Sequence, residues 1–139
     1  MKRPRFWFQV VFTYLSAQFV VGGLTYLVAP EAAHRGLEDL ARRLGAADEV
    51  ALVVHESLVW RTLAGTNVLT LGAMCLLLQL DVKRFFPVLY PLVFMKGATA
   101  IAFLVTGVRL DLRVLVAAGL YDAFNVLLML IFAPAARRA

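Results

Sequence analysis

Phe86–Thr106 reads FPVLYPLVFMKGATAIAFLVT, and Leu112–Ala133 reads LRVLVAAGLYDAFNVLLMLIFA. Both runs are apolar and long enough to cross a bilayer, which takes roughly 20 residues. Each nevertheless carries a charge near its centre: Lys96 in the first, Asp122 in the second. An ionised side chain at that depth costs about 2.5 to 3.5 kcal/mol on insertion scales, and more in simulations. Opposite charges at one depth on successive helices read as a pair turned inward, and this pair is the first place to look for a site.

The rest of the chain agrees with a membrane setting. It has 139 residues, 62% of them hydrophobic, against about 45 to 50% in soluble domains. Two more spans fit, Phe6–Ala29 and Ser57–Leu80, so the expected fold is an all-α bundle of four transmembrane helices forming one domain. Pro30 and Pro134 follow the first and last spans. Pro87 suits a first helical turn, and Pro91, one turn further in, is expected to kink the third span. The basic start Met1-Lys2-Arg3-Pro4-Arg5 resembles that of a signal peptide. The apolar run behind it outlasts a signal core of about 7 to 15 residues, so an uncleaved span is expected.

The net charge of +5 does not point to nucleic acid, because the basic residues sit mainly at span ends, as the positive-inside rule leads one to expect. Lys2, Arg3, Arg5, Lys83, Arg84, Arg137 and Arg138 fall on one side. Arg35, Arg42, Arg43, Arg109 and Arg113 fall on the other. The bias places both termini in the cytoplasm. Trp7, Phe8, Phe85 and Phe86 then fall at the inner interface, and Tyr26 and Trp60 at the outer one, as an aromatic belt.

The first loop carries a helical stripe, Ala33, Leu37, Leu40, Ala41 and Leu44. Three i,i+4 pairs, Glu31–Arg35, Glu38–Arg42 and Asp39–Arg43, are each worth about 0.2 to 0.5 kcal/mol. A short amphipathic helix is expected at about residues 31–44, on the outer surface or over the bundle mouth, ending at Gly45. The second span is expected to begin early, near Asp48-Glu49, where acids favour a helix N-terminus.

Helical phase gathers the remaining polar residues. Tyr14, Gln18, Gly22 and Thr25 share a face of the first span. Arg61, Gly65, Val68 and Gly72 share one on the second, with Asn67 beside it. Ala118, Gly119, Asp122, Asn125 and Met129 align on the fourth. By depth, Gln18, Asn67, Lys96 and Asp122 lie near the midplane. The expected site is therefore one polar core: Lys96–Asp122 at its centre, with Gln18, Asn67 and Asn125 as hydrogen-bond partners. Gly22, Gly65, Gly72 and Gly119 allow close helix approach. Arg61, nearer the outer surface, is expected to snorkel, to pair with Glu56, or to bind an anion. The plainer reading is that the charges only fix helix pairing.

Other chemistry finds no motif. Cys75 is the only cysteine, without a base or metal-ligand cluster near it in sequence. His55-Glu56 lacks the second histidine of a zinc-protease motif, since Val59 holds that place. No phosphate loop, catalytic triad or haem-ligating histidine within a span appears. No catalytic residue, metal or cofactor is implied.

Two stretches carry a family resemblance. One is Gly23-Leu24 through Leu27-Val28-Ala29-Pro30-Glu31. The other is Arg61-Thr62-Leu63-Ala64-Gly65 followed by Gly72. With the four-span layout and long first loop, they resemble the DoxX-like group of small bacterial membrane proteins. That resemblance implies a four-helix bundle in a bacterial inner membrane. Some of the group are similar to small subunits of membrane oxidoreductase assemblies. Arg61 and Gly65 are the matching positions, and no catalytic residue carries over. The first functional expectation is a non-catalytic subunit or assembly partner, lodged in the lipid bilayer and docked to other membrane helices in a hetero- or homo-oligomer. Ala98 and Ala102, at i,i+4, are candidate docking residues. The rivals are a small-molecule or lipid-binding or transport component built on the polar core, and a membrane enzyme acting on a lipid or quinone.

Overall fold

A bilayer core holds no water to serve an unpaired backbone group, so an apolar run that crosses it folds as a helix, which satisfies itself. The computed structural model describes residues 3–50 and 57–139, and within them the protein is all-α. Five α-helices follow one another: α1 (Arg3–Val28), α2 (Pro30–Arg43), α3 (Leu58–Leu80), α4 (Leu89–Arg109) and α5 (Arg113–Arg138). Short 3-10 turns occupy Ala47–Glu49 and Phe86–Val88. Helices α1, α3, α5 and α4 with its preceding turn are each long and apolar enough to cross a membrane.

The prolines sit differently from expectation. Pro91 falls in the first turn of α4, where a missing N–H has no intrahelical partner to lose. The change of geometry comes before it, from 3-10 to α at Leu89. Pro134 does not end the last span. Helix α5 runs through it to Arg138, and Ala133 and Ala136 on either side are fully buried, so tertiary packing outweighs one lost backbone bond.

The spans pack as two tight pairs, α1 with α3 and α4 with α5, joined mainly by α1 against α5. Helices α3 and α4 touch little. Lipid tails are as apolar as leucine, so these contacts rest on close packing rather than on the hydrophobic effect. Glycine sets the closeness. A Cβ on Gly23 would stand 2.9 Å from the Gly65 carbonyl oxygen, and one on Gly72 would stand 2.8 Å from Val20 Cγ2. In the other pair, a Cβ on Gly119 would stand 3.0 Å from the Ala100 carbonyl oxygen, and one on Gly107 2.8 Å from the Val116 nitrogen. Gly22, expected at such a contact, has only Val68 within reach among the described residues, at 3.9 Å. Its neighbour Gly23 faces α3 instead.

The dense core lies toward the end that carries both termini, where Phe8, Phe12, Leu15, Cys75, Leu78, Leu92 and Met129 are buried. Phe8 and Phe86 therefore serve the core, not an interfacial belt, whereas Trp7, Tyr26 and Trp60 are exposed.

Helix α2 covers the opposite end. Its apolar side, Leu37, Ala41 and Leu44, packs with Ala46 and Val50 against Val114 at the start of α5. It ends as its glycine dictates: Gly45 has φ +66°, the Ala46 N–H donates to the Ala41 carbonyl at 2.9 Å and the Gly45 N–H to the Arg42 carbonyl at 3.1 Å. This is a Schellman cap. Among the expected ion pairs, Glu38–Arg42 forms at 3.5 Å. Asp39 turns to Arg42 at 3.8 Å rather than to Arg43, and His34 joins Glu38 at 3.1 Å. Asp48 and Glu49 do not open α3. They form their own turn, and the buried Glu49 carboxylate accepts the Val114 N–H at 3.0 Å, capping α5 instead. His55 and Glu56 lie outside the described residues.

Two outcomes test this packing by thermal unfolding in mild detergent. Gly119→Ala lowers stability by about 1 to 3 kcal/mol, the usual cost of overpacking. Gly97→Ala, where no described residue lies within 4 Å, is neutral or stabilising by up to about 1 kcal/mol through helix propensity. Equal effects would mean that the α4–α5 approach is looser than described. At the α2 end, Glu49→Ala lowers stability by about 0.5 to 2 kcal/mol through the lost cap.

Candidate functional site

Lys96 projects from the middle of α4 and Asp122 from the middle of α5, and their side chains meet. Lys96 Nζ donates to Asp122 Oδ1 at 2.5 Å. Both residues are buried, at 9% and 6% exposure. The ammonium also lies 5.0 Å from the centroid of the Phe19 ring of α1, a cation–π contact that adds an attractive wall without adding charge. One charge pair thus involves three of the four spans.

The other expected partners go elsewhere. Gln18 does not reach the pair. Its Oε1 accepts the Tyr121 hydroxyl, and Tyr121 meets Tyr14 Oη at 2.5 Å. Because the Tyr121 proton goes to Gln18, Tyr14 is the donor in that second bond. This chain joins α1 to α5 through two half-exposed tyrosines. Asn125, one turn along α5 from Asp122, is fully buried. Neither its Oδ1 nor its Nδ2 has a partner among the described residues, and the same holds for Gln18 Nε2. Asn67 is exposed on α3. The expected inward position does not hold: Asn67 lies nearly opposite the Gly65 and Gly72 face that packs on α1, and α3 and α4 make little contact. Arg61, half-buried near the start of α3, is not part of the cluster, and Glu56 lies outside the described residues.

A second polar cluster went unread in the sequence. Gln79 of α3 donates to Ser16 Oγ at 2.6 Å and to the Phe12 carbonyl at 3.0 Å. It accepts the Thr13 hydroxyl at 3.0 Å, and its own carbonyl accepts the Gln9 amide at 3.2 Å. The signal was present: Gly65, Gly72 and Gln79 recur every seven residues, the spacing of a helix–helix seam. The cluster clasps α1 to α3 near the terminal end.

Chemically, the Lys96–Asp122 pair is compensated. The charges satisfy each other, and two clefts, of about 330 and 410 Å³, lie at the bundle ends among other residues. The unused capacity is in the amides of Asn125 and Gln18. Buried polar groups are normally hydrogen-bonded, and an orphan calls for an explanation such as a bound water or ligand. No family model, curated protein or solved structure matches this chain.

Removing one member of the pair strands the other in a low-dielectric interior, which typically costs about 3 to 5 kcal/mol. Lys96→Met and Asp122→Leu alone are each expected to cost that much, measured as thermal stability in mild detergent. The double replacement Lys96→Met with Asp122→Leu recovers most of the loss. A double variant as unstable as the sum of the singles would show that the two charges are not coupled.

Proposed function

We propose that this chain is a non-catalytic subunit or assembly partner of a larger membrane complex. We place it in a bacterial inner membrane with both termini cytoplasmic, as the excess of basic residues at the terminal end supports. The carrying observation is Asn67. It stands near the middle of α3, exposed, beside exposed Leu63, Thr66 and Thr70. The threonines on this helix satisfy themselves: the Thr62, Thr66 and Thr70 hydroxyls each donate to the carbonyl four residues back, at 2.8 to 2.9 Å. A carboxamide has donors and acceptors that such back-bonding does not serve. At mid-depth it faces hydrocarbon unless a helix of another chain covers it. An interhelical hydrogen bond in a membrane is worth about 0.6 to 2 kcal/mol, enough to select a partner and too little to hold one without packing. Exposed Ala98 and Ala102 on α4 offer a second smooth face. The DoxX-like pattern, Arg61 with Gly65 and Gly72, fits the same reading, since Gly65 and Gly72 face α1 and leave the other sides of α3 open.

The second reading is a small-molecule or lipid-binding component centred on Lys96, Asp122 and Asn125. The orphan amide of Asn125 favours it. It requires a guest that reaches a group with no exposure in this conformation.

Native mass spectrometry of the protein extracted gently from its own membrane separates the two. The expected result is a stoichiometric second polypeptide whose bound fraction falls on Asn67→Leu while the thermal stability of the free chain holds. A retained small molecule, lost on Asp122→Ala, with no second polypeptide, would replace this proposal with the binding reading.

A further inference from the structure

The terminal end of the bundle gathers Arg3, Arg5, Lys83, Arg84, Arg137 and Arg138. Asp81 is the one acidic side chain there among the described residues. Its Oδ1 accepts the Lys83 and Arg84 backbone N–H groups, both at 3.0 Å. No ion pair at this end forms among the described residues. Most of this charge is what a cytoplasmic interface carries by default. One part of it is organised further. A cleft of about 330 Å³ opens between the start of the third span and the last turn of α5, lined by Phe86, Pro134, Arg137 and Arg138. The Arg137 guanidinium lies 4.2 Å from the Phe86 ring centroid. Phe86 is itself buried in the core, so the ring that holds the guanidinium is fixed by the fold.

We propose that this cleft binds the headgroup of an anionic phospholipid. Arginine presents a planar fork that matches a phosphate bidentately, and stacking on an aromatic ring orients that fork in advance. Arg138 supplies a second cation at the same cleft, and Phe86 and Pro134 give it an apolar wall. The level is that of a span end, where headgroups lie. A free phosphate ion would use the two arginines and gain nothing from the apolar wall, whereas a lipid uses both. Basic pockets at the ends of membrane helices are a recurring lipid-recognition chemistry.

The test uses the full chain in mild detergent, titrated with phosphatidylglycerol and separately with phosphatidylcholine, with bound lipid counted by native mass spectrometry. Phosphatidylglycerol is expected to bind preferentially. Arg137→Gln with Arg138→Gln is expected to weaken it by a factor of roughly 30, since each arginine near an anionic surface contributes a factor of about five. Arg109→Gln with Arg113→Gln, at the opposite end, leaves it unchanged. A thermal scan of each variant shows that it is folded, which exposed helix-end positions permit. Equal binding of the two lipids, or undiminished phosphatidylglycerol binding by the Arg137/Arg138 variant, would overturn the proposal. So would full displacement of the lipid by millimolar inorganic phosphate, which would make the site one for a free anion.

Discussion

The distance between the backbones of α4 and α5 governs this structure. Gly119 lies one turn before Asp122, and Ala100 one turn after Lys96. At that level the two helices approach until a Cβ on Gly119 would stand 3.0 Å from the Ala100 carbonyl oxygen. The charged side chains emerge beside this contact, so the seam holds their terminal atoms within a hydrogen bond. The dependence runs both ways. Packing without a hydrophobic driving force is weak per contact, and a slip of one helix along the other would separate two charges that have no water to return to. Seam and pair therefore select the same register, the best-attested use of a buried polar interaction.

The α1–α3 pair follows the same logic with neutral groups. Gly23, Gly65 and Gly72 bring the helices together, and Gln79 fixes their register through Ser16, Thr13 and the Phe12 carbonyl. What joins the two pairs is different in kind: the phenylalanine-rich core near the terminal end, the Phe19 ring over Lys96, and the tyrosine chain to Gln18. Toward the α2 end, α2 itself takes over, with its apolar side on Val114 and Glu49 on the Val114 N–H. The loop between the first two spans is thus a structural element that fixes where α5 begins.

The spans and the Lys96–Asp122 pairing were legible in the sequence because each is a strong one-body signal. Twenty apolar residues have few alternatives, and two opposite charges at one depth have fewer. The Gly45 stop was legible for the same reason, since a positive φ tolerates little else. The hydrogen-bond partners were not legible, because helical phase gives a direction and not a neighbour. Gln18, on the face of α1 that looked central, points to α5 and Tyr121. Asn67, expected to face the core, lies on the side of α3 away from α1, and α3 and α4 stay apart. Glu49, adjacent to an expected helix start, caps a different helix remote in sequence. The Gln79 clasp was within reach of a seven-residue repeat, which sorts residues by partner helix, whereas a search for polar residues at mid-depth passes over one near the helix end.

Two carboxamides separate what this fold has settled from what it has left open. Asn125 is enclosed with both amide atoms unpaired among the described residues, and Asn67 is exposed at a similar level. Elsewhere in the described spans the polar side chains largely meet their needs inside the chain, Gln18 Nε2 excepted: threonines through carbonyls four residues back, Gln79 through α1, Lys96 through Asp122. In a solvent that forms no hydrogen bonds, a group left out of that accounting is where the proposal of a further binding partner rests. For Asn125 the complement has to be as small as the space around a fully buried side chain. For Asn67 it can be as large as another helix. That difference in permitted size, more than any difference in chemistry, is why the exposed amide rather than the buried one carries the case for a partner protein.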